Sequence, residues 1–228
     1  PTLFLVVGIV LFASAIPLFY SKEYIEVYTD SYKGAWKRVF KKESFRTSVG
    51  LLSQGVELGI HFYIWPLFLF TIAISFSQLG GIASFALIAS SMFMLYAGRL
   101  SDTQERSWLL NFGGLWTAIA WILKYFVTTP FSAMLAQAIY RVSRAAARVP
   151  FWTYFYEKAA ENGEEADEFV IYHEMVVNTG RSAVFGLLAV IFFLFPHLPL
   201  QATFIMAALF ALGFSFVGNP PKIRFVYP

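Results

Sequence analysis

The sequence predicts an all-α integral membrane protein with seven transmembrane helices. Hydrophobic residues make up 58% of the chain and charged residues 14%, whereas a soluble domain has about 45–50% apolar and about 25% charged residues. The mean hydropathy is +0.61. A helix needs roughly 20 apolar residues to cross a bilayer, and seven segments approach or exceed that length: residues 2–20, 49–76, 79–100, 108–127, 131–149, 182–195 and 200–217.

Between these segments, lysine and arginine occur only in alternate connections. Seven of them lie in the loop at residues 21–46, and more follow in later loops on the same side and in the tail at 219–228. The connections around 77–79, 128–130 and 196–199 contain none. The positive-inside rule therefore predicts a multi-pass protein of the plasma or inner membrane with a cytoplasmic C-terminus.

The charge and cysteine content exclude several classes of partner and cofactor. The net charge of +3 is spread over inter-helix loops, so we expect no nucleic-acid partner. Without cysteine there is no disulfide, thiolate zinc site or iron–sulfur cluster. We predict no metal and no cofactor.

The first segment and the loop after it predict a helix followed by a cytoplasmic linker at residues 21–48. The chain opens inside a hydrophobic run without the features of a signal peptide, and we interpret the start as a truncation. In the linker, Trp36, Val39 and Phe40 alternate with basic residues at helical spacing, which predicts an amphipathic helix at the membrane surface. A solvated basic linker fits this segment equally well.

The segment 49–76 carries polar residues on one helical face. Gln54, Glu57 and His61 lie at positions i, i+3 and i+7. An ionised carboxylate at mid-membrane costs at least about 2.5–3.5 kcal/mol, so such a group faces a cavity or a partner. We interpret these residues as candidates for substrate contact or proton coupling. A helix–helix hydrogen-bond network with no transport role is the alternative.

The next two segments are predicted to serve packing and anchoring. Residues 79–100 are rich in small side chains, and the pairs Gly80/Ser84 and Ala86/Ser90 would let another helix approach closely. In 108–127, Lys124 is the lone basic residue near the outer end. We expect it to extend to the outer headgroups.

The segment 131–149 carries a second polar stripe. Gln137, Arg141, Arg144 and Arg148 follow one another at i, i+4, i+7 and i+11. Arginines that enter the membrane are costly unless they meet carboxylates or a water-filled cavity. We expect Gln137 and Arg141 to line the same cavity as the first stripe.

Similar depths along the two helices predict an ion pair between Glu57 and Arg141, because each would relieve the desolvation of the other. His61, one turn deeper, would then be a proton partner. A static pair that only fixes packing remains the alternative.

The sixth span is predicted to begin as a cytoplasmic helix. Asn162–Gly163 is typical of a helix end and turn, and the acidic residues that follow suit a first helical turn. Glu174, Asn178 and Arg181 share one face of this helix. We expect Gly180 and Gly186 to permit tight packing. His173 is predicted on the exposed side, and no second histidine at ligand spacing accompanies it.

The connector between the third and fourth segments carries a recognisable spacing. Gly98, Asp102 and Arg106 stand four residues apart. This resembles the loop signature of the major facilitator superfamily, in which Gly, Asp and a basic residue join two helices on the cytoplasmic side. The resemblance implies a gating cluster of charges at the cytoplasmic helix ends, with these candidates: Gly98, Asp102, Arg106, Arg144, Arg148, Glu174 and Arg181.

The resemblance further implies that the chain is helices 6 to 12 of a twelve-helix transporter. Residues 1–20 would be the last helix of a missing N-terminal half, and residues 49–218 the C-terminal six-helix bundle. The expected function is secondary active transport of a small solute by alternating access, and proton coupling would suit Glu57 and His61. The expected partners are the solute, the lipid bilayer and the missing half.

Other classes of membrane protein remain open. No nucleotide-binding loop and no hydrolase motif is present, so we expect no enzymatic activity. A seven-helix receptor or scaffold would also explain the number of spans. A membrane-embedded enzyme acting on lipids could use Glu57, His61 and the arginines.

Overall fold

The computed structural model describes residues 2–20, 32–40, 45–72, 75–103, 106–161 and 166–213. Within these ranges the protein is all-helical and has no strand. The elements are α1 (Thr2–Ala15) with a 3₁₀ turn (Ile16–Tyr20), α2 (Tyr32–Val39), α3 (Phe45–Gly59) with a π-helical turn (Ile60–Ile64), α4 (Trp65–Thr71), α5 (Phe76–Thr103), α6 (Arg106–Tyr125), α7 (Pro130–Glu161), α8 (Ala166–Leu194) and α9 (Ala202–Ala211).

Two of the described helices are long and apolar enough to cross a membrane. They are Phe76–Arg99 within α5 and Val170–Leu194 within α8. Shorter apolar runs occupy Leu5–Ala15 and Ala202–Ala211. The prediction of an all-α protein is thus confirmed, whereas the seven-span topology and the cytoplasmic C-terminus stay predictions. The predicted tail at 219–228 lies outside the described residues.

The helix that contains the fifth predicted span is longer than the span, because α7 continues through Pro150 to Glu161. The apolar run stops near residue 149, but helical structure does not depend on hydropathy alone. By contrast, α8 runs unbroken from Ala166 into the sixth predicted span, as expected. The predicted turn at Asn162–Gly163 lies outside the described residues.

The segment predicted as one helix from 49 to 76 contains a π-helical turn at Ile60–Ile64. The backbone N–H of Trp65 donates to the carbonyl of Ile60, five residues earlier. Pro66 follows directly, and a proline has no N–H and crowds the carbonyl four residues before it. A widened turn accommodates that crowding. It also sets the direction of His61, which lies inside the turn.

Glycines bring α3 and α8 into close contact. A methyl group on Gly55 would overlap the carbonyl of Val177, and one on Gly180 would overlap the carbonyl of Leu52. The two helices therefore meet backbone to backbone, as small residues permit in membrane proteins. The packing predicted for Gly180 is confirmed.

Two other small-residue predictions are wrong in part. Nothing lies within 4 Å of a Cβ built on Gly186 or on Gly80, so these glycines face open space. Ala86 and Ser90, one of the predicted small pairs, are buried. Spacing along the chain predicts where small residues recur but not which side of the helix has a neighbour.

An aromatic core joins α4, α6 and α9. The ring of Phe204 lies 5.2 Å from Phe68, 5.7 Å from Trp65 and 5.4 Å from Trp121, measured between centroids. These aromatic side chains are all buried. This core holds the part of α6 that carries Trp121 and Lys124 against α4 and α9.

The amphipathic helix predicted in the linker is present as α2, but its apolar face packs on protein. Val39 is buried in a cluster with Tyr172 and Val176 of α8. The hydroxyl of Ser48 donates to the Val39 carbonyl at 2.8 Å and lies 2.6 Å from the Tyr172 hydroxyl. The predicted contact of this face with lipid is therefore wrong for Val39, whereas Phe40 is exposed.

Replacing Gly55 by alanine should separate α3 from α8. The added methyl meets backbone, which cannot move aside cheaply, so we expect a loss of about 1–3 kcal/mol in the free energy of unfolding. Thermal unfolding of the protein in detergent measures this. Gly186→Ala is the matched control in open space. There the better helix propensity of alanine should leave stability unchanged or raise it by up to about 1 kcal/mol. Equal effects of both substitutions would contradict the close contact.

Candidate functional site

The carboxylate of Glu57 is the centre of a buried hydrogen-bond network. Glu57 is 0% exposed. Its Oε1 accepts hydrogen bonds from Trp121 Nε1 at 2.9 Å and from the Tyr140 hydroxyl at 2.5 Å. Its Oε2 pairs with Nη1 of Arg144, which also donates to the Tyr140 hydroxyl at 2.8 Å. These four residues, the Glu57 network, join α3, α6 and α7.

The predicted Glu57–Arg141 ion pair is wrong, because Arg144 takes that place. Tyr140 and Arg144 are four residues apart on α7, so both face Glu57 and hydrogen-bond to each other. Arg141 follows Tyr140 directly and points about 100° away around the helix. Position along the helix does not fix which side of α7 faces α3.

Lys124 is buried inside the protein, so the predicted extension to headgroups is also wrong. It is 0% exposed, and its ammonium makes no hydrogen bond in the described structure. The nitrogen lies 4.3 Å, 4.1 Å and 3.7 Å from the ring centroids of Trp65, Trp121 and Tyr140. Three aromatic faces thus take the place of water around the cation.

His61 lies beside the Glu57 network but is not hydrogen-bonded to its carboxylate. The imidazole is 4.4 Å from the ring of Tyr140, between centroids. It is 7% exposed, and its Nδ1 has no hydrogen-bond partner. The proton sharing predicted between Glu57 and His61 therefore has no direct contact to support it.

A cavity of about 220 Å³ opens between α3, α5, α7 and α8. Most of the residues predicted for substrate contact and gating converge on it from three helices. Its lining includes Gln54, His61, Arg141, Arg144, Arg148, Glu174 and Arg181. Most of the two predicted polar stripes thus faces one space, which we call the first cavity; Glu57 is buried beside it and does not line it.

A second cavity of about 210 Å³ continues from the first. Both are lined by His61, Phe62 and Arg141. On α7 the second cavity adds Gln137, whose Oε1 is buried and has no hydrogen-bond partner. On α5 it is lined by Ile82, whereas the first cavity reaches the later part of that helix. The two spaces therefore follow each other along the helices and meet at His61 and Arg141.

The structure describes the side chains of only some residues of the predicted gating motif. Gly98 lies in α5 with nothing within 4 Å of a built Cβ. Asp102 is near the end of α5 and Arg106 begins α6, but their side chains lie outside the described residues. The predicted pairing of Asp102 with an arginine of α7 stays a prediction.

Glu174 and Arg181 lie on α8 beside the first cavity, as their shared face predicted. Glu174 accepts a hydrogen bond from Asn178 Nδ2 at 3.1 Å, and Arg181 Nη1 donates to Asn178 Oδ1 at 3.0 Å. His173 is buried, not on the exposed side as predicted, and its Nδ1 lies 3.3 Å from Glu174. The described residues contain no group of three potential metal ligands.

Sequence reasoning missed Trp121 and Tyr140 as partners of Glu57, and it missed the burial of His173. The spacing of Tyr140 and Arg144 was a readable signal, because a hydroxyl and a guanidinium four residues apart form one surface. His173 continues the stripe of Val176, Val177 and Gly180 at helical spacing, which indicates a buried face. Nothing in the sequence around Trp121 marks it as a hydrogen-bond donor to Glu57.

No protein-family model, curated protein or solved structure matches this chain. Arguments about function therefore depend on its own residues.

Removing the charge of Glu57 should destabilise the fold through Arg144. In Glu57→Gln the amide oxygen still accepts from Trp121 and Tyr140, but the guanidinium loses its counter-charge. Breaking a buried pair in this way costs about 3–5 kcal/mol. The double variant Glu57→Gln/Arg144→Met should recover part of the loss in chemical unfolding. Glu174→Gln, at an exposed carboxylate, should change stability by less than about 0.5 kcal/mol. A silent Glu57→Gln would show that the pair contributes nothing.

Two substitutions of Lys124 should separate the effect of its side-chain volume on stability from the effect of its charge. Lys124→Met keeps most of the volume and removes a buried cation, so stability should be unchanged or rise by about 1–2 kcal/mol. Lys124→Ala leaves a cavity among three aromatic rings and should cost about 2–5 kcal/mol. Thermal unfolding in detergent compares the two. If methionine is as damaging as alanine, the ammonium itself stabilises the aromatic cluster.

Proposed function

We propose that this chain forms the cavity-lining C-terminal part of a secondary transporter, which moves a small solute across a cell membrane by alternating access. The observation that carries the proposal is the pair of cavities that meet at His61 and Arg141. A solute path needs space toward each side of the membrane and a closure between the two spaces. Transporters keep their binding sites near the middle of the bilayer, where polar groups line the path.

The surface of the long apolar helices supports a membrane location. Only 17% of the apolar stretch in α5 and 28% of the apolar stretch in α8 is buried inside the protein. Large apolar side chains such as Leu95 are exposed, in this case to 78%. Soluble proteins rarely expose a continuous apolar surface of this kind, and lipid would cover it.

The distribution of polar side chains supports a path rather than a sealed core. Gln54, His61, Gln137 and Arg141 all line one cavity or the other. Ionisable groups inside a membrane are expensive and therefore line water-filled space or pair with one another. In this chain Glu57 and Arg144 pair, Lys124 is enclosed by aromatic rings, and His61 and Arg141 border the cavities.

The π-helical turn supports a conformational change at the place where the two cavities meet. Such turns occur mostly at functional sites, where the extra residue re-aims side chains. Here the turn contains His61 and Phe62, two of the residues shared by both cavities. A rotation of α4 about this turn would open one cavity and narrow the other. In the resemblance to the major facilitator superfamily, a second six-helix half would face these cavities.

Single-cysteine labelling tests the path, because this chain has no cysteine of its own. In the full-length protein without other cysteines, Gln54→Cys should react with a membrane-impermeant thiol reagent from the cytoplasmic side. Gln137→Cys should react from the opposite side. Leu95→Cys is the control, because a lipid-covered thiol should not react with either application. Conditions that raise labelling at one cavity should lower it at the other by about the same factor.

Three results would contradict the proposal. Labelling of Gln54→Cys and Gln137→Cys from the same side would exclude a path that connects two sides. Labelling that rises and falls together would exclude alternating access. Fast labelling of Leu95→Cys would exclude a lipid-covered α5. Unfolded variants are recognised beforehand by their thermal unfolding midpoints.

A further inference from the structure

The described lining of the first cavity carries more positive than negative charge. Among the described residues that line it, four are arginines and one, Glu174, carries a carboxylate. Arg144 is already neutralised by its pair with Glu57. Glu174 has a side chain that is 60% exposed and lies against His173. Arg141 and Arg181 by themselves already outnumber this single described carboxylate.

Arg141 and Arg181 have hydrogen-bonding capacity left over. The Nε atom of each is buried and has no hydrogen-bond partner in the described structure. The aliphatic part of Arg181 lies against Gly59 of α3, where its Cγ would be 3.3 Å from a built Cβ. This contact directs the guanidinium along α3. Its Nη1 is bound to Asn178, which holds the group in place without neutralising it.

His61 adds a third unused polar group from a different helix. Its Nδ1 has no partner although the residue is 7% exposed. A buried polar atom without a hydrogen bond costs about 1–3 kcal/mol, so a ligand that completes it gains that energy. In the tautomer with the proton on Nδ1, His61 donates. All three groups are then donors around one space.

We propose that the first cavity binds a small anion through its carboxylate or phosphate group, with Arg141, Arg181 and His61 as the donors. Guanidinium groups bind these two anions in a bidentate manner, with stronger hydrogen bonds than neutral partners make. The volume of about 220 Å³ lies below the roughly 300–1,000 Å³ of drug-sized pockets, so the bound group is small. This inference deepens the proposed function, since it makes the transported solute an anion, but binding can be tested without transport.

The same chemistry could come from a soluble anion or from the phosphate of a lipid headgroup. A soluble anion would reach the site through either cavity. A lipid would have to enter between α5 and α8, whose outer surfaces are the long apolar ones. The experiment below separates the two sources.

The full-length protein, freed of lipid in detergent, is titrated with succinate and with inorganic phosphate by calorimetry. Succinamide is the neutral control, because it matches succinate in size and shape. At least one of the two anions should bind at least tenfold more tightly than succinamide. Arg141→Gln and Arg181→Gln should each weaken this binding about tenfold or more. Arg46→Gln, at an exposed arginine of α3 outside the cavity, should leave the affinity unchanged.

Further variants and membranes make each outcome decisive. Arg141→Lys keeps the positive charge but loses the planar guanidinium that can bind an anion through two hydrogen bonds. The affinity of this variant for the anion should therefore lie between those of the unsubstituted protein and Arg141→Gln. Nanodiscs of phosphatidylcholine with and without phosphatidylglycerol test the lipid source. If only phosphatidylglycerol associates, and does so through Arg141 and Arg181, the anion is a headgroup. Succinamide binding as tightly as the tighter of the two anions, or no arginine-dependent binding of any of these anions, overturns the anion site.

The test also distinguishes failure of this inference from failure of the proposed function. Arginine-dependent anion binding without uptake of the bound anion into liposomes would leave the site standing and remove transport. Absence of arginine-dependent anion binding, together with uptake of a neutral solute that is unchanged in Arg141→Gln and Arg181→Gln, would do the reverse.

Discussion

The buried carboxylate of Glu57 is the constraint on which the arrangement of the site depends. A charge without water around it is stable only when hydrogen bonds and an opposite charge surround it. Trp121, Tyr140 and Arg144 supply these from two other helices. Because all four positions must meet at one point, the rotations of α6 and α7 against α3 are fixed together.

That fixed rotation decides what borders the cavities. With Tyr140 and Arg144 turned toward Glu57, the next position on α7 is turned away from it. Arg141 therefore lines both cavities, and its Nε has no hydrogen-bond partner among the described residues. The Glu57 network ties α3, α6 and α7 together, and Arg141 beside it faces the cavities. A buried pair and an unsatisfied neighbour on one helix are thus consequences of the same contact.

Close helix contact and the π-helical turn determine the shape of the remaining wall. Gly55 and Gly180 let α8 approach α3 at backbone distance, which carries Arg181 to the cavity edge. The turn at Ile60–Ile64 re-aims His61 toward Tyr140. Both features arise from residues with special backbone properties, glycine and proline. They give three donors from three helices a common space.

The sequence alone determined the helical character, the two polar stripes and most of the polar residues that line the cavities. Those features follow from hydropathy and from a period of 3.6 residues, which act along one helix. Only the tertiary structure decided that Glu57 pairs with Arg144 and not Arg141, and that Lys124 is enclosed by Trp65, Trp121 and Tyr140 instead of reaching headgroups. The physical reason is that a partner is chosen by the rotation of one helix against another, and a single helix carries no record of that angle.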